Sequence, residues 1–148
     1  MNTHPYLRAF LAGVFVPTLV LPLMLAGFIV IRLVLQVPVP IERAIVFPMA
    51  LVPLLWGLWN MLWLGSHART RLAIEYHGML LPILLMPAGA LVARCLGILA
   101  LGSNGVTWFH ACHVPYALIV PAFLCALAGY YLVWKYIVGS VNQVLGIA

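Results

Sequence analysis

Ala9-Phe-Leu-Ala-Gly-Val-Phe-Val-Pro-Thr-Leu-Val-Leu-Pro-Leu-Met-Leu-Ala-Gly-Phe-Ile-Val-Ile31 decides the fold. No charge interrupts it, and at about 1.5 Å rise per residue it is long enough to cross a hydrocarbon core of roughly 30 Å. Signal-peptide cores run to only about 7–15 residues, so this stretch is expected to remain as an anchor.

Three similar stretches follow. Arg32 closes the first helix, and the prolines of Gln36-Val-Pro-Val-Pro40 cannot continue it, which predicts helix 1 over about 9–36. Glu42 and Arg43 precede helix 2 (about 44–66). The polar run His67-Ala-Arg-Thr-Arg-Leu-Ala-Ile-Glu-Tyr-His77 predicts a loop before helix 3 (about 79–101). Gly102-Ser-Asn-Gly105 has strong turn chemistry, and helix 4 covers about 114–138. The expected fold is an all-α integral membrane protein: one domain over 1–148, a four-transmembrane-helix bundle with short loops. A β-barrel is excluded by the lack of alternating hydrophobicity, and an open sheet by the unsatisfied backbone it would leave in lipid.

Composition agrees. The chain is 66% hydrophobic and 6% charged, against roughly 25% charged in a soluble domain. Prolines recur as Pro17/Pro22, Pro48/Pro53, Pro82/Pro87 and Pro115/Pro121, so kinked helices are predicted. Small residues (Gly89, Ala90, Ala93 and Gly97 on helix 3; Ala122, Ala126 and Gly129 on helix 4) make helices 3 and 4 the expected tightest pair. Cys95, Cys112 and Cys125 show neither a paired nor a zinc spacing and read as small buried residues.

The net charge of +5 suits anionic lipid head groups. The scattered basic residues form no stripe, which argues against nucleic acid. Four crossings put both termini and the 67–77 loop on one side with Arg8, Arg69, Arg71 and Lys135. Arg32, Arg43 and Arg94 fall on the other, so the positive-inside rule predicts cytoplasmic termini in a bacterial-type inner membrane.

Few side chains could carry chemistry. Arg94, deep in predicted helix 3, needs a partner, and Glu42 is the carboxylate on its side, so an ion pair is expected. Arg32, Arg43 and Arg94, with His110 and His113, could alternatively hold an anionic head group, since guanidinium forks bind two oxygens at once. His110 and His113 share one helical face if that segment is helical, but they lack a convincing third ligand, so no metal is predicted. Trp56, Trp59 and Trp63 make a stripe on helix 2 that could pack on a lipid tail, quinone, pigment or subunit. Asn60 among them could make an interhelical hydrogen bond of roughly 0.6–2 kcal/mol. No cofactor is predicted; bis-histidine haem would need histidines facing each other across the bundle.

The chain has no Asp and no mid-span Glu, which argues against proton-coupled transport. It also lacks a phosphate-binding glycine loop and a Ser-His-Asp set. The sequence therefore predicts a non-catalytic multi-pass protein, either a small subunit or scaffold of a membrane complex or a binder of lipid or another apolar ligand. Its expected partners are membrane lipids and other membrane subunits, or further copies of itself. The competing expectation is a small enzyme or transporter acting on an anionic lipid-like substrate through Arg32, Arg43, Arg94 and His110 or His113.

Overall fold

The computed structural model describes residues 4–36, 47–108 and 112–147, with side chains from residue 51 onward in the second stretch. Helices α1 (Pro5–Leu33), α2 (Phe47–Thr70) and α3 (Ile74–Cys95) come first. Three short strands follow, β1 (Leu99–Leu101), β2 (Gly105–Trp108) and β3 (Cys112–Pro115). The chain ends in α4 (Tyr116–Leu132), a π-helical turn (Val133–Val138) and α5 (Gly139–Val144), which form one continuous helix.

Among the described residues, three helices are long and apolar enough to cross a membrane: Pro5–Leu33, Ile74–Cys95 and Tyr116–Val144. Only 6%, 17% and 6% of their most apolar stretches are buried within the chain. Apolar surface of this extent has no place in water, so the fold is compatible with an integral membrane protein.

Several boundaries differ from the sequence reading. Helix 3 begins at Ile74 rather than near Met79, and α2 runs on to Thr70, so the 67–77 loop shrinks to 71–73. The charges in that segment suit helix ends: His67 and Arg69 lie in the last turn of α2 and Glu75 in the first turn of α3, each complementing the helix dipole. At its far end α3 stops at Cys95, short of the expected Leu101, because Gly97 adopts φ +69°. There Gly97 N–H donates to the Arg94 carbonyl and Ile98 N–H to the Ala93 carbonyl, the paired bonds of a Schellman motif. Pro115 precedes α4 at its N-cap instead of lying inside it. The helix 1 terminators Pro38 and Pro40 and the start of helix 2 at 44–46 lie outside the described residues.

The chain forms two compact units, Met1–Ile74 with Trp134–Ala148, and Glu75–Val133. In the first, α1 and α2 run antiparallel: Tyr6 lies by Gly65, Ala9 by Asn60 and Gly13 by Trp56. Glycine is required at this crossing. A Cβ on Gly13 would sit 2.5 Å from the Trp56 carbonyl oxygen, and one on Gly57 would sit 2.5 Å from the Phe10 ring. Ala9 and Ala12, both fully buried, complete the close approach.

In the second unit, β1, β2 and β3 form an antiparallel sheet in sequence order, pairing Leu101 with Val106 and Gly105 with Pro115. A Cβ on Gly105 would run into the Val114 carbonyl oxygen and come within 2.8 Å of the Pro115 Cα, so only glycine fits this register. Tyr116 seals the turn by donating its hydroxyl proton to the Gly102 carbonyl at 2.9 Å. The rings of Tyr76 on α3 and Tyr131 on α4 meet edge-on at 5.8 Å. The small residues do not pack as expected: a Cβ on Gly89 or Gly129 would meet nothing within 4 Å. The close-packed glycine pair is on α1 and α2, because Gly13 and Gly57 lie opposite each other and Gly89 and Gly129 face outward.

Candidate functional site

The interior of the first unit gathers the aromatic stripe of α2 onto the C-terminal helix. Trp56 and Trp63 are buried, Trp59 is half-buried, and Asn60 is fully enclosed. Opposite them stand Trp134, Val138 and Asn142, each with no exposed surface. The Trp56 and Trp134 rings lie 5.4 Å apart, inclined by 32°.

Asn60 and Asn142 hydrogen-bond reciprocally. Asn60 Nδ2 donates to Asn142 Oδ1 at 2.9 Å, and Asn142 Nδ2 donates to Asn60 Oδ1 at 3.2 Å. Asn60 Nδ2 also donates to the Ala9 carbonyl at 2.7 Å. One amide pair thus links α1, α2 and α5, in surroundings where an unmade bond would cost its full desolvation penalty.

The ends of this unit are fastened by backbone caps. Trp63 Nε1 donates to the Leu72 carbonyl at 3.1 Å, tying the 71–73 break back to α2, and its indole stacks on His67 at 5.0 Å. Gly146, at φ +66°, ends α5 with a Schellman pair in which Ile147 N–H bonds Asn142 O and Gly146 N–H bonds Gln143 O. Arg8 Nη1 donates to the Leu145 carbonyl at 3.1 Å. The start of α1 and the end of α5 are therefore neighbours.

Of the residues proposed for an anionic ligand, Arg32, Arg94 and His113 are described. Arg32 closes α1 in the first unit and Arg94 closes α3 in the second; both are exposed. Arg94 was expected deep in the span with Glu42 as its partner. It lies in the last turn of its helix, where the dipole favours a cation. Glu42, Arg43 and His110 lie outside the described residues. His113 is exposed on β3, not on a helix, with Nδ1 3.4 Å from Thr107 Oγ1, so the helical-face argument for a histidine pair does not apply to it. No group of three metal-binding side chains occurs among the described residues.

Cys95, Cys112 and Cys125 are exposed, contrary to the expectation of buried thiols. All three belong to the second unit, whose helices show much apolar surface, and a thiol is apolar enough to share it. The residues that sequence reasoning missed are Trp134, Val138 and Asn142. Their signal is the repeated four-residue spacing, which places them along one helical face. No family model, curated protein or solved structure matches the chain.

Proposed function

We propose that the chain is a four-span integral membrane protein acting as a non-catalytic scaffold, a small subunit of a larger membrane assembly that also binds lipid. Four crossings are supported by the bond from Arg8 to the Leu145 carbonyl. It brings the two chain ends together, which requires an even number of spans, and α2 is the natural fourth. Prolines inside the helices, Pro17 and Pro22 in α1, Pro53 in α2, Pro82 and Pro87 in α3 and Pro121 in α4, each remove a backbone hydrogen bond, and bends there belong to this reading. Arg8 and the Arg69–Arg71 pair share one end of the first unit, which favours cytoplasmic termini under the positive-inside rule.

The observation that carries the functional reading is the reciprocal Asn60–Asn142 pair. The two enclosed asparagine amides close one another's hydrogen bonds and join helices, instead of facing a cavity where a substrate could sit. Outward-facing Gly89 and Ala90 on α3 offer the close backbone approach that membrane helices use to associate. Purification in a mild detergent, followed by identification of co-purifying polypeptides, tests the reading. The expected result is a stoichiometric membrane subunit that is lost on Gly89→Leu while the chain itself stays folded. A lone chain that turns over an added lipid substrate would replace this reading with an enzymatic one.

A further inference from the structure

We propose that the groove between the start of α1 and the end of α2 seats one anionic phospholipid, an inference that rests on the membrane reading above and names a ligand for it. The groove is a shallow, open one with a volume of about 520 Å³. Its lining is graded along α2: Leu58, Met61 and Leu62 at one end, Ser66, Arg69 and Thr70 at the other. Leu58 and Arg69 are separated by about 16 Å at 1.5 Å per residue, close to the roughly 15 Å depth of one leaflet's hydrocarbon. Tyr6 walls the groove from α1. Gly65 lies on its floor, where a Cβ would meet the Tyr6 hydroxyl in ordinary contact at 3.6 Å and only a larger side chain would fill the groove. An open apolar groove about as long as one leaflet is deep, with a guanidinium at its rim, matches one acyl chain below a phosphate.

Charge selects the head group. Among the described residues the first unit carries Arg8, Arg32, Arg69, Arg71 and Lys135 and no acidic side chain. The hydroxyls at the rim are turned onto their own helix: Ser66 Oγ donates to the Trp63 carbonyl and Thr70 Oγ1 to the Ser66 carbonyl. Arg69, exposed at the rim with Arg71 two residues on, is left to meet the phosphate. The C-terminal end of a helix repels an anion, so binding here depends on the guanidinium and should fail without it.

Native mass spectrometry of the detergent-purified full chain, titrated with phosphatidylglycerol, phosphatidylcholine and inorganic phosphate, tests the seat. Carbonate-washed membranes from the same cells are assayed first. The expected result is one retained phosphatidylglycerol, several-fold preferred over phosphatidylcholine, and no retention of inorganic phosphate. Arg69→Gln should bind phosphatidylglycerol about fivefold more weakly, the effect of one basic side chain at an anionic surface, with Arg69→Lys recovering part of it. Gly65→Leu, which fills the groove and suits a helix better than glycine, should abolish retention in a folded protein. Equal retention of the two lipids, full retention by Arg69→Gln, phosphate binding alone, or a co-purified polypeptide covering the groove would overturn the lipid seat. Loss of the chain from the carbonate-washed membranes would instead overturn the membrane reading itself.

Discussion

Replacing Asn60 with Leu should cost far more than replacing Asn60 and Asn142 together would lead one to expect. Leucine conserves the approximate size of the side chain, so the change reads out hydrogen bonding more than cavity formation. The single substitution removes three bonds, of 2.7, 2.9 and 3.2 Å, and strands both the oxygen and the nitrogen of the fully buried Asn142 amide. Each stranded group costs about 1–3 kcal/mol, so Asn60→Leu should destabilise by about 2–6 kcal/mol, and Asn142→Leu, which strands only Asn60 Oδ1 because Asn60 Nδ2 keeps its bond to Ala9, by about 1–3 kcal/mol. Both amides are fully buried within the unit. Water is scarce there to satisfy what the mutation exposes.

In the double variant neither amide remains to be stranded, and replacing both partners by apolar groups is often close to neutral. The double change should therefore cost about 1–2 kcal/mol, well below the sum of the singles. The assay is reversible unfolding in mixed micelles titrated with a denaturing detergent, for wild type, both single variants and the double. Additivity within about 0.5 kcal/mol, the behaviour of independent sites, would refute the claim that the two amides act as one unit.

Gly13→Ala should destabilise the same unfolding transition by about 1–3 kcal/mol, because its Cβ meets the Trp56 backbone and the helices must separate. Gly89→Ala and Gly129→Ala, where nothing lies within 4 Å, should be neutral or stabilising by up to about 1 kcal/mol through helix propensity. Arg8→Gln should release the C-terminal cap at a cost of about 0.5–1.5 kcal/mol, seen as faster amide hydrogen exchange over 141–147 with the α1–α2 contact unchanged. Gly146→Ala, at φ +66°, should weaken the same cap by about 1 kcal/mol, read by the same exchange experiment.

The helices were legible because hydrophobic runs are averages: Ala9–Ile31 announces a span whatever it packs against. Their ends were not, since a charge at a helix terminus and a charge in a loop look alike until the backbone bonds are known. Arg94 shows this well. Counted from Met79 it lay inside the span and required a partner, whereas a helix beginning at Ile74 brings it to the last turn. The sheet at 99–115 was hidden because Leu99-Ala-Leu101 continues the apolar composition of α3, and only Gly97 in the left-handed region separates them. Asn60 stood out as a lone amide in an apolar run. Asn142 did not, because it sits in a tail that reads as mildly polar and solvated.

A π-helical turn leads into that tail. In an ordinary α-helix four residues overshoot a full turn by about 40°, so Trp134, Val138 and Asn142 would share a face but fan across about 80° of it. A π turn closes hydrogen bonds five residues apart and holds more than four residues per turn, so a four-residue step through it falls short of a full turn instead. Trp134 to Val138 crosses the π segment and Val138 to Asn142 crosses α5, and the two deviations oppose each other. All three side chains therefore share one face, and all three have no exposed surface. The local departure from α-helical winding narrows that spread, and the one face it leaves sets Trp134 against Trp56 and Asn142 against Asn60.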